Sequence, residues 1–332
     1  MIVMSKNEVK KVLFIGDQHI WHITPPNRLD VYSEAIIAKM RECLFDIAPS
    51  KNVDAVVLLG DLFEKPEPSP LLRNAVIKLL RQNWNFRIIA LEGNHDKDHS
   101  NDLDRTALGT LHHLELLEIL DYDPSLGIAF HHFTRQLDEE IFSGKLANNP
   151  AIIHCAHASV GDKLDRFGEY IFLFKDTPLH EKTKILLSGH IHHAMEETRS
   201  DGKLFINPGA ISRRSASKDN LFRQIRVLLL EYTLDDGTII NKEYIPLKKS
   251  RPAEEIFNLA GIEQKKKLKE NAQDLVLKVS SITTSNWNFT TLDDKLFAIK
   301  EAGYNVGLSE NAINIAIEAI RQVNDNEKVG KN

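Results

Sequence analysis

Five short clusters of polar residues in the first two-thirds of the chain carry side chains that bind metal ions or transfer protons. They are Asp17-Gln18-His19, Gly60-Asp61, Gly93-Asn94-His95-Asp96, His157 and Gly189-His190-Ile191-His192. Together they offer carboxylate oxygens, an amide oxygen and imidazole nitrogens, a ligand set that suits Mn, Fe or Zn better than Ca or Mg. Two such cations about 3.5–4 Å apart acidify a shared water molecule and hold the oxygens of a phosphate group. The sequence therefore predicts a centre for two divalent metal ions.

Each cluster follows a short apolar run that is typical of a buried strand. The runs are Lys11–Ile15, Ala55–Leu59, Arg87–Leu91, Ala151–Ile153 and Lys184–Leu187. Open α/β sheets gather functional side chains at the carboxyl ends of their strands, so we expect the five clusters to meet at one rim. A single histidine or Gly-Asp pair beside a strand is usually structural. Five clusters in series, all at strand ends, favour the metal centre.

Helical stripes of apolar residues alternate with these strands, over residues 29–47 and from Pro70 to Trp84. Further strands are predicted at Ile128–Phe130, Leu204–Ile206, Gln224–Tyr232 and Thr238–Tyr244. This alternation predicts an α/β fold, a sandwich with much parallel pairing. The turn at Leu234–Gly237 predicts that the last two strands form an antiparallel hairpin.

The composition changes near Lys248–Pro252, and the pattern beyond it is mainly helical. The predicted helices are Ala253–Leu259, Glu263–Leu277, Leu292–Glu301 and Ser309–Val323. We predict one domain over residues 1–250 and a smaller, mainly helical region over residues 251–332. The last helix carries an apolar stripe through Ile313, Ile317 and Ile320, which either packs on its own domain or docks on a partner.

Composition and charge limit the class of protein. The 332 residues carry a net charge of −5, so any contact with nucleic acid must come from local basic patches. Cys43 and Cys155 both lie in apolar patterns, which predicts buried free thiols and favours a reducing compartment. The charged N-terminal residues form no secretion signal, and no apolar run reaches membrane-spanning length. We therefore expect a cytoplasmic protein without a membrane partner.

The ordered series Asp-x-His, Gly-Asp, Gly-Asn-His-Asp, His and Gly-His-x-His resembles the calcineurin-like metallophosphoesterases, over roughly residues 10–215. The resemblance implies two mixed sheets flanked by helices and metal-dependent hydrolysis of phosphoesters. It assigns the first metal to Asp17, His19 and His192, the second to Asn94, His157 and His190, and a bridging role to Asp61.

The same resemblance implies roles for two residues that are not ligands. His95 would stabilise or protonate the leaving oxygen, and Asp96 would keep His95 oriented. His154 competes with His157 for one ligand position, and His157 is favoured because it lies beyond the predicted strand rather than inside it.

Three further segments are similar to SbcD-type nucleases, the nuclease subunits of double-strand-break repair complexes. They are Gly60–Ser69, Asn207–Ala210 followed by Arg213 and Arg214, and Tyr244–Leu247. This likeness implies DNA as substrate, manganese as metal, a coiled-coil ATPase of the SbcC type as partner, and a role in DNA repair or recombination. The chain is shorter than bacterial SbcD proteins. Its first motif, Asp17-Gln18-His19-Ile20-Trp21, also differs from the more usual sequence at that position.

Several alternatives stay open at this point. Arg213 and Arg214 are predicted to contact substrate phosphates, or they are solvated surface residues. Trp21 either lines the substrate groove or packs against the protein. The second hypothesis for function is a stand-alone phosphodiesterase or phosphatase acting on nucleotides or phosphoproteins. A non-catalytic scaffold is disfavoured because His95 and the full ligand set are present. The sequence does not decide between a monomer and a homodimer.

Overall fold

The computed structural model describes residues 8–161, 172–268, 270 and 291–305, and the single positions or pairs 310, 313–314, 317–318 and 321. The chain divides into two compact units, Met1–Phe257 and Asn258–Asn332. The predicted metal-binding clusters all lie in the first unit. Among the described residues, no helix combines the length and the hydrophobicity needed to cross a bilayer.

The first sheet of the larger unit has its strands in the order β13-β12-β1-β2-β3. Their bounds are β1 (Val9–Ile15), β2 (Ala55–Leu58), β3 (Arg87–Ala90), β12 (Arg226–Thr233) and β13 (Ile239–Pro246). β1, β2 and β3 run parallel, whereas β12 pairs antiparallel with both β1 and β13. The predicted hairpin at the end of this domain is therefore confirmed.

The second sheet is also mixed, in the order β10-β11-β9-β6-β5-β4. Its strands are β4 (Tyr122–Asp123), β5 (Ile128–His131), β6 (Ile153–His157), β9 (Ile185–Gly189), β10 (Met195–Thr198) and β11 (Leu204–Asn207). The four central strands run parallel, and β4 and β10 are antiparallel at the edges. A small parallel pair, β7 (Val160–Gly161) and β8 (Phe172–Leu173), lies outside it. The predicted pair of mixed sheets is confirmed.

Side chains alternate across β1 between two cores. Val12 and Phe14 pack in the cluster that includes Cys155 and Leu187 of the second sheet, so they fill the space between the sheets. Leu13 and Ile15 point the other way, into the core beneath the helices. A strand buried on both faces reads as a continuous apolar run, which is why the sequence pattern located these strands. Both cysteines are buried free thiols, as expected.

Helices cover the outer face of the first sheet. The larger unit contains α1 (Tyr32–Arg41), α2 (Ala48–Lys51), α3 (Pro70–Leu80), α4 (Ala107–His113), α5 (Leu137–Phe142), α6 (Lys218–Phe222) and α7 (Ala253–Ile256). The helix predicted over residues 29–47 begins only at Tyr32 and becomes a π-helical turn over Glu42–Ile47. α3 starts as the sequence suggests, because the Ser69 side chain accepts from the backbone N–H of Leu72.

The smaller unit is helical where it is described, over residues 259–268 and Leu292–Asn305. Much of the predicted helices Glu263–Leu277 and Ser309–Val323 lies outside the described residues. The proposed docking role of the last helix stays a prediction.

Phe14→Ala tests the core between the sheets. Phe14 is fully buried there, so its truncation leaves a cavity, and we expect the free energy of unfolding to fall by about 3–5 kcal/mol. Urea denaturation followed by circular dichroism measures the change. The control is Phe222→Ala, whose side chain is 80% exposed and should change stability by less than about 0.5 kcal/mol. Equal effects of the two variants would contradict the packing described.

Candidate metal centre

The carboxyl ends of five strands from both sheets meet at one rim and bring the predicted ligands together. Asp17 and His19 follow β1, Asp61 follows β2, Asn94 follows β3, His157 ends β6, and His190 and His192 follow β9. In a first group, one donor atom from each of Asp17, His19, Asp61 and His192 lies within 4.8 Å of the others. A second group with the same spacing contains Asp61, His157 and His190. The two groups share Asp61.

The Asp61 carboxylate lies between the two groups. Its Oδ2 is 3.5 Å from Nε2 of His19 and 3.3 Å from Nε2 of His157. On one side, Nε2 of His19 is 2.9 Å from Nε2 of His192. The other carboxylate oxygen, Oδ1, accepts the backbone N–H of His95 at 2.9 Å. This position suits a carboxylate that bridges two cations.

Asn94 joins the second group through its amide oxygen. Oδ1 of Asn94 is 3.1 Å from Nε2 of His157 and 2.9 Å from Nδ1 of His190. All seven predicted ligands therefore converge. Their assignment as ligands is a proposal, which the chemistry of the donor set supports.

Three of the seven residues have left-handed backbone conformations that non-glycine residues seldom adopt. His19, Asp61 and His190 have φ angles of 47°, 52° and 76°. Such residues cost on the order of 1–3 kcal/mol each and persist where the surroundings fix them. Here the carbonyl oxygen of Asp61 accepts from Gln18 N and His19 N, and Oδ1 of Asp17 accepts from His190 N at 2.8 Å. The ligand loops thus hold one another in place.

Two glycines allow the loops to approach this closely. A Cβ atom at Gly60, whose φ is +97°, would lie 2.2 Å from Nδ1 of His157. A Cβ at Gly93 would lie 2.1 Å from Oδ1 of Asp61. Both distances are far below van der Waals contact, so any side chain here would displace a ligand.

Hydrogen bonds to the outer nitrogens orient two of the imidazoles. Nδ1 of His157 donates to the carbonyl of Leu59 at 2.8 Å, and Nδ1 of His19 is 2.9 Å from the Glu64 carboxylate. A proton held on Nδ1 leaves the lone pair of Nε2 facing the centre. Metal-ligating histidines are usually held in this way by a second group.

Burial and the neighbouring charges shift the pKa values of Asp17 and Asp61 in opposite directions. Burial raises the pKa of Asp17 to about 6, and the negative charge of Asp61 adds to a rise that His157 only partly offsets. Burial alone would also raise the pKa of Asp61, but the neighbouring His157 and His19 lower it well below its usual range. Oδ2 of Asp17 is buried and has no hydrogen-bond partner within the described part of the chain. Divalent cations fit this site, because they would supply both a partner for that oxygen and the positive charge that the carboxylates lack.

The histidines fit metal ions equally well. Burial lowers the pKa of His190 to about 4 and that of His192 well below its ordinary value, so both rings are neutral, the form that ligates metals. For His157, burial also favours the neutral form, but the adjacent Asp61 outweighs it and raises the pKa to about 9. A metal ion at this position would take the place of that proton.

Asp96 does not contact the imidazole of His95, which corrects the role predicted for it. Its buried carboxylate accepts the backbone N–H groups of Leu62, Phe63 and Gly93 at 3.2, 2.9 and 3.0 Å. It therefore fixes the loops after β2 and β3 relative to each other. The acceptor for Nδ1 of His95 is the backbone carbonyl of Glu64, at 3.0 Å.

Glu64 is a site residue that the sequence analysis missed. Its side chain is nearly buried, binds Nδ1 of His19 and forms an ion pair with Arg214, while Oε2 lies 3.7 Å from Nδ1 of His95. The side-chain bond to His19 and the charge of Arg214 keep the pKa of Glu64 below its usual value although burial acts to raise it. The one signal in the sequence was an acidic residue directly after the apolar pair Leu62-Phe63.

The two arginines predicted to contact substrate have different environments. Arg213 is buried, and its guanidinium donates to the carbonyls of Arg251 and Arg223, so it supports the backbone and is not placed to touch a substrate. Arg214 lies at the rim, with its side chain 35% exposed. Contact with substrate phosphates therefore stays a prediction for Arg214 alone.

His154 lies outside the metal centre. It lies on the opposite face of β6 from His157, because side chains an odd number of residues apart point to opposite sides of a strand. Its Nδ1 is 2.9 Å from Nε2 of His131, and its Nε2 is 3.1 Å from the hydroxyl of Thr183. The strand extends through His157, which corrects the predicted strand end at Ile153.

A cleft of about 640 Å³ opens beside the centre, and we call it the rim cleft. It is lined by Trp21, Glu64, Lys65, Pro66, Glu67, Asn94, His95, Lys97, Asp98 and His99. Trp21 thus lines a groove next to His95, and its ring also contacts His22, 4.1 Å between centroids. A cleft of this size accepts a nucleotide-sized ligand.

Residues 10–194 match the model of the calcineurin-like phosphoesterase family. The DNA double-strand break repair protein Mre11 of Archaeoglobus fulgidus is 28% identical over 280 residues, which cover 73% of this chain and 58% of that protein. The chain therefore spans somewhat more than half the length of this curated relative.

Two solved structures are similar at low identity. The 5′-nucleotidase precursor of Thermus thermophilus has a TM-score of 0.39 and 12% identity, covering 81% of this chain and 60% of its own. A dimetal phosphatase from Danio rerio has a TM-score of 0.44 and 11% identity, covering 72% of this chain and 99% of its own.

Asp61→Asn tests the shared ligand. The amide keeps an oxygen for the N–H of His95 but removes the charge that faces both groups, so we expect fewer than two manganese ions to remain bound. Native mass spectrometry after manganese loading counts the ions. Asp46→Asn, which alters an exposed carboxylate of the π-helical turn, is the control and should keep two ions. Two ions on Asp61→Asn would contradict a bridging role.

Glu64→Ala tests the support of His19. Loss of a group that orients a metal-binding histidine typically weakens metal affinity by about 10–100-fold, and we expect a loss in that range in a calorimetric titration with manganese. Glu67→Ala, at an exposed neighbour in the same loop, should bind manganese as the unaltered protein does. Unchanged affinity in Glu64→Ala, with the fold intact by circular dichroism, would show that His19 needs no such support.

Proposed function

The chain belongs to the calcineurin-like phosphoesterase family, and on that premise we propose that it cleaves phosphodiester bonds in DNA. Membership makes it a metal-dependent hydrolase of phosphoesters. The proposal concerns the substrate and the partners. The observation that carries it is the complete ligand set at a rim that also presents His95, in a chain similar to Mre11, whose name describes a DNA double-strand break repair protein.

The metals are proposed to be two manganese ions, with iron or zinc as alternatives that the same donors accept. Asp17, His19 and His192 would hold one ion, Asn94, His157 and His190 the other, and Asp61 both. When bound, such ions polarise a phosphate group and lower the pKa of a nearby water molecule.

His95 is proposed to protonate the leaving oxygen of the ester. Its ring is about one-third exposed and lines the rim cleft. Because Nδ1 is engaged by the carbonyl of Glu64, Nε2 is the nitrogen left to face a substrate. A proton on Nε2 is the one that His95 would give to the leaving oxygen.

Arg214 and the rim cleft support a nucleic-acid substrate. Arg214 holds a positive charge beside His19 through its pair with Glu64, where a phosphate flanking the scissile bond would pass. Trp21 supplies an aromatic face in the rim cleft on which a base could stack. Lys65 and Lys97 also line this cleft, where Lys97 pairs with Glu92 at 3.3 Å, together with the carboxylates of Glu64, Glu67 and Asp98.

The partner proposed is a coiled-coil ATPase of the SbcC type, in DNA repair or recombination. The region after residue 250 is proposed as the segment that docks on it. The similarity to Mre11 supports this partner, and it covers 73% of the chain. A homodimer stays a prediction that no observation tests.

His95→Ala tests the reaction. With manganese, the purified protein should degrade single-stranded or duplex DNA, and the variant should lose about 100-fold or more of this activity, the range typical of a missing general acid. His99→Ala, at an exposed histidine of the same rim cleft, should retain activity, and both variants should bind two manganese ions. If the protein turns over only nucleotides or phosphoproteins and leaves DNA intact, it is a stand-alone phosphodiesterase or phosphatase instead.

A further inference from the structure

A second cleft, of about 360 Å³, lies between α1 and the segment Lys248–Arg251, and we call it the cationic cleft. Five cationic side chains line it, namely Arg28, Lys39, Lys248, Lys249 and Arg251, against the two carboxylates Asp30 and Glu34. We propose that the cationic cleft is a second phosphate-binding site, separate from the metal centre. Its ligand is either a backbone phosphate of DNA, which rests on the proposed function, or a free phosphate or pyrophosphate ion, which does not.

Lys39 forms the floor of the cationic cleft and is a buried amine. Its side chain is nearly inaccessible, with 5% of the residue exposed, and its ammonium donates to the carbonyl of Ile211 at 2.6 Å. Within the described part of the chain, no carboxylate lies within ion-pair distance of it. An ammonium has three donors, and a buried one without a counter-ion is costly. An anion in the cleft would supply the missing partner.

The surroundings of Lys39 add positive charge. Burial lowers the pKa of Lys39 to about 7, and the nearby guanidinium groups of Arg28, Arg213 and Arg223 contribute to this lowering. Arg28 is already paired with Asp30, through two hydrogen bonds of 2.8 and 2.7 Å, so Asp30 is not free to neutralise Lys39. Of the two buried cationic side chains that line the cleft, those of Arg28 and Lys39, only the Lys39 side chain lacks a carboxylate partner among the described residues.

The mouth of the cleft is preorganised. The backbone N–H groups of Lys248 and Lys249 donate to the buried carboxylate of Glu42 at 2.7 and 2.8 Å, which fixes this segment while both lysine residues remain exposed. Among the described residues neither ammonium forms an ion pair, whereas Arg251 is paired with Glu255 at 3.0 Å. Several cations around one space favour a multiply charged anion such as phosphate.

The cationic cleft is also connected to the metal rim. Four successive carbonyl groups, of residues 210 to 213, accept hydrogen bonds from cations: Arg223 binds the first and third, Lys39 the second and Arg28 the fourth. This loop ends at Arg214, which contacts Glu64 at the metal centre. Two of the cations that shape the cleft thus hold the loop that positions a rim arginine.

The primary test replaces the exposed mouth lysines, in Lys248→Gln/Lys249→Gln, because Lys39 also supports the loop. Binding of a short labelled single-stranded oligonucleotide is measured by fluorescence anisotropy in EDTA at several salt concentrations. We expect the dissociation constant to rise about 5- to 20-fold and the slope of its salt dependence to fall by about 1, as for the loss of one or two phosphate contacts. The charge-matched control is Lys78→Gln/Arg81→Gln, at two exposed cations elsewhere, which should bind as the unaltered protein does.

Glu34→Gln should change the dissociation constant in the opposite direction from the lysine variant, because it removes a carboxylate from the same cleft without adding bulk. It should tighten binding of the anion by a few-fold. A parallel calorimetric titration with pyrophosphate separates the two sources of phosphate. Oligonucleotide binding weakened in the lysine variant, with no pyrophosphate binding, assigns the cleft to DNA. Pyrophosphate binding lost in the lysine variant, with oligonucleotide binding unchanged, assigns it to a free ion.

If neither ligand distinguishes the lysine variant from its control, the proposal is overturned. Hydrolysis of bis-p-nitrophenyl phosphate with manganese is followed in all variants and should not change, because none of the altered residues lies at the metal centre. If that hydrolysis is seen but DNA is never cleaved, the proposed nuclease function fails while the pyrophosphate titration still decides whether the cleft binds phosphate.

Discussion

The metal centre depends on the compensation of one buried carboxylate, that of Asp61. Its Oδ2 faces the imidazoles of His19 and His157, its Oδ1 accepts from His95 N, and its backbone carbonyl accepts from Gln18 and His19. An ionised carboxylate removed from water without such partners is costly. Because the partners come from the loops after β1 and β3 and from β6, satisfying this one group draws the ends of both sheets together. The rim is therefore a consequence of electrostatics as much as of topology.

A chain of polar contacts extends from that rim into the body of the domain. Glu64 joins His19 to Arg214, and the loop before Arg214 is held by Arg28, Lys39 and Arg223 through its carbonyl groups. Cations that bind backbone carbonyls position a loop firmly. Arg28 and Arg223 also pair with carboxylates, whereas Lys39 has no carboxylate partner within the described part of the chain. This loop connects a cleft lined by five cationic side chains to a rim that carries the carboxylates of Asp17, Asp61 and Glu64, in a chain whose net charge is −5.

In this fold the sheets provide the rigid support, and the loops that follow the strands carry most of the candidate ligands. The buried strands supply a rigid platform, since both faces of β2 and β6 are covered. Six of the seven candidate ligands sit on short loops directly after that platform, and His157 ends β6. In these loops the left-handed conformations of His19, Asp61 and His190 are imposed by neighbours. Under the proposed function, the residues that select the substrate are Trp21 and Arg214, which lie further out than the candidate ligands and do not follow directly after a buried strand.

The sequence by itself determined most of the central strands and the residues that converge at the rim, because apolar runs and the polar residues that follow them are local patterns, whereas the pair of mixed sheets was implied by the family resemblance. It could not determine which polar groups are buried together. Glu64, Asp96 and Arg213 received their roles from partners far along the chain, such as Arg214 for Glu64 and the Leu62 and Phe63 amides for Asp96. The length of β6, and hence the face on which His157 lies relative to His154, was likewise decided by pairing with β5 and β9. Burial and charge compensation are properties of the assembled sandwich, and no window of sequence contains them.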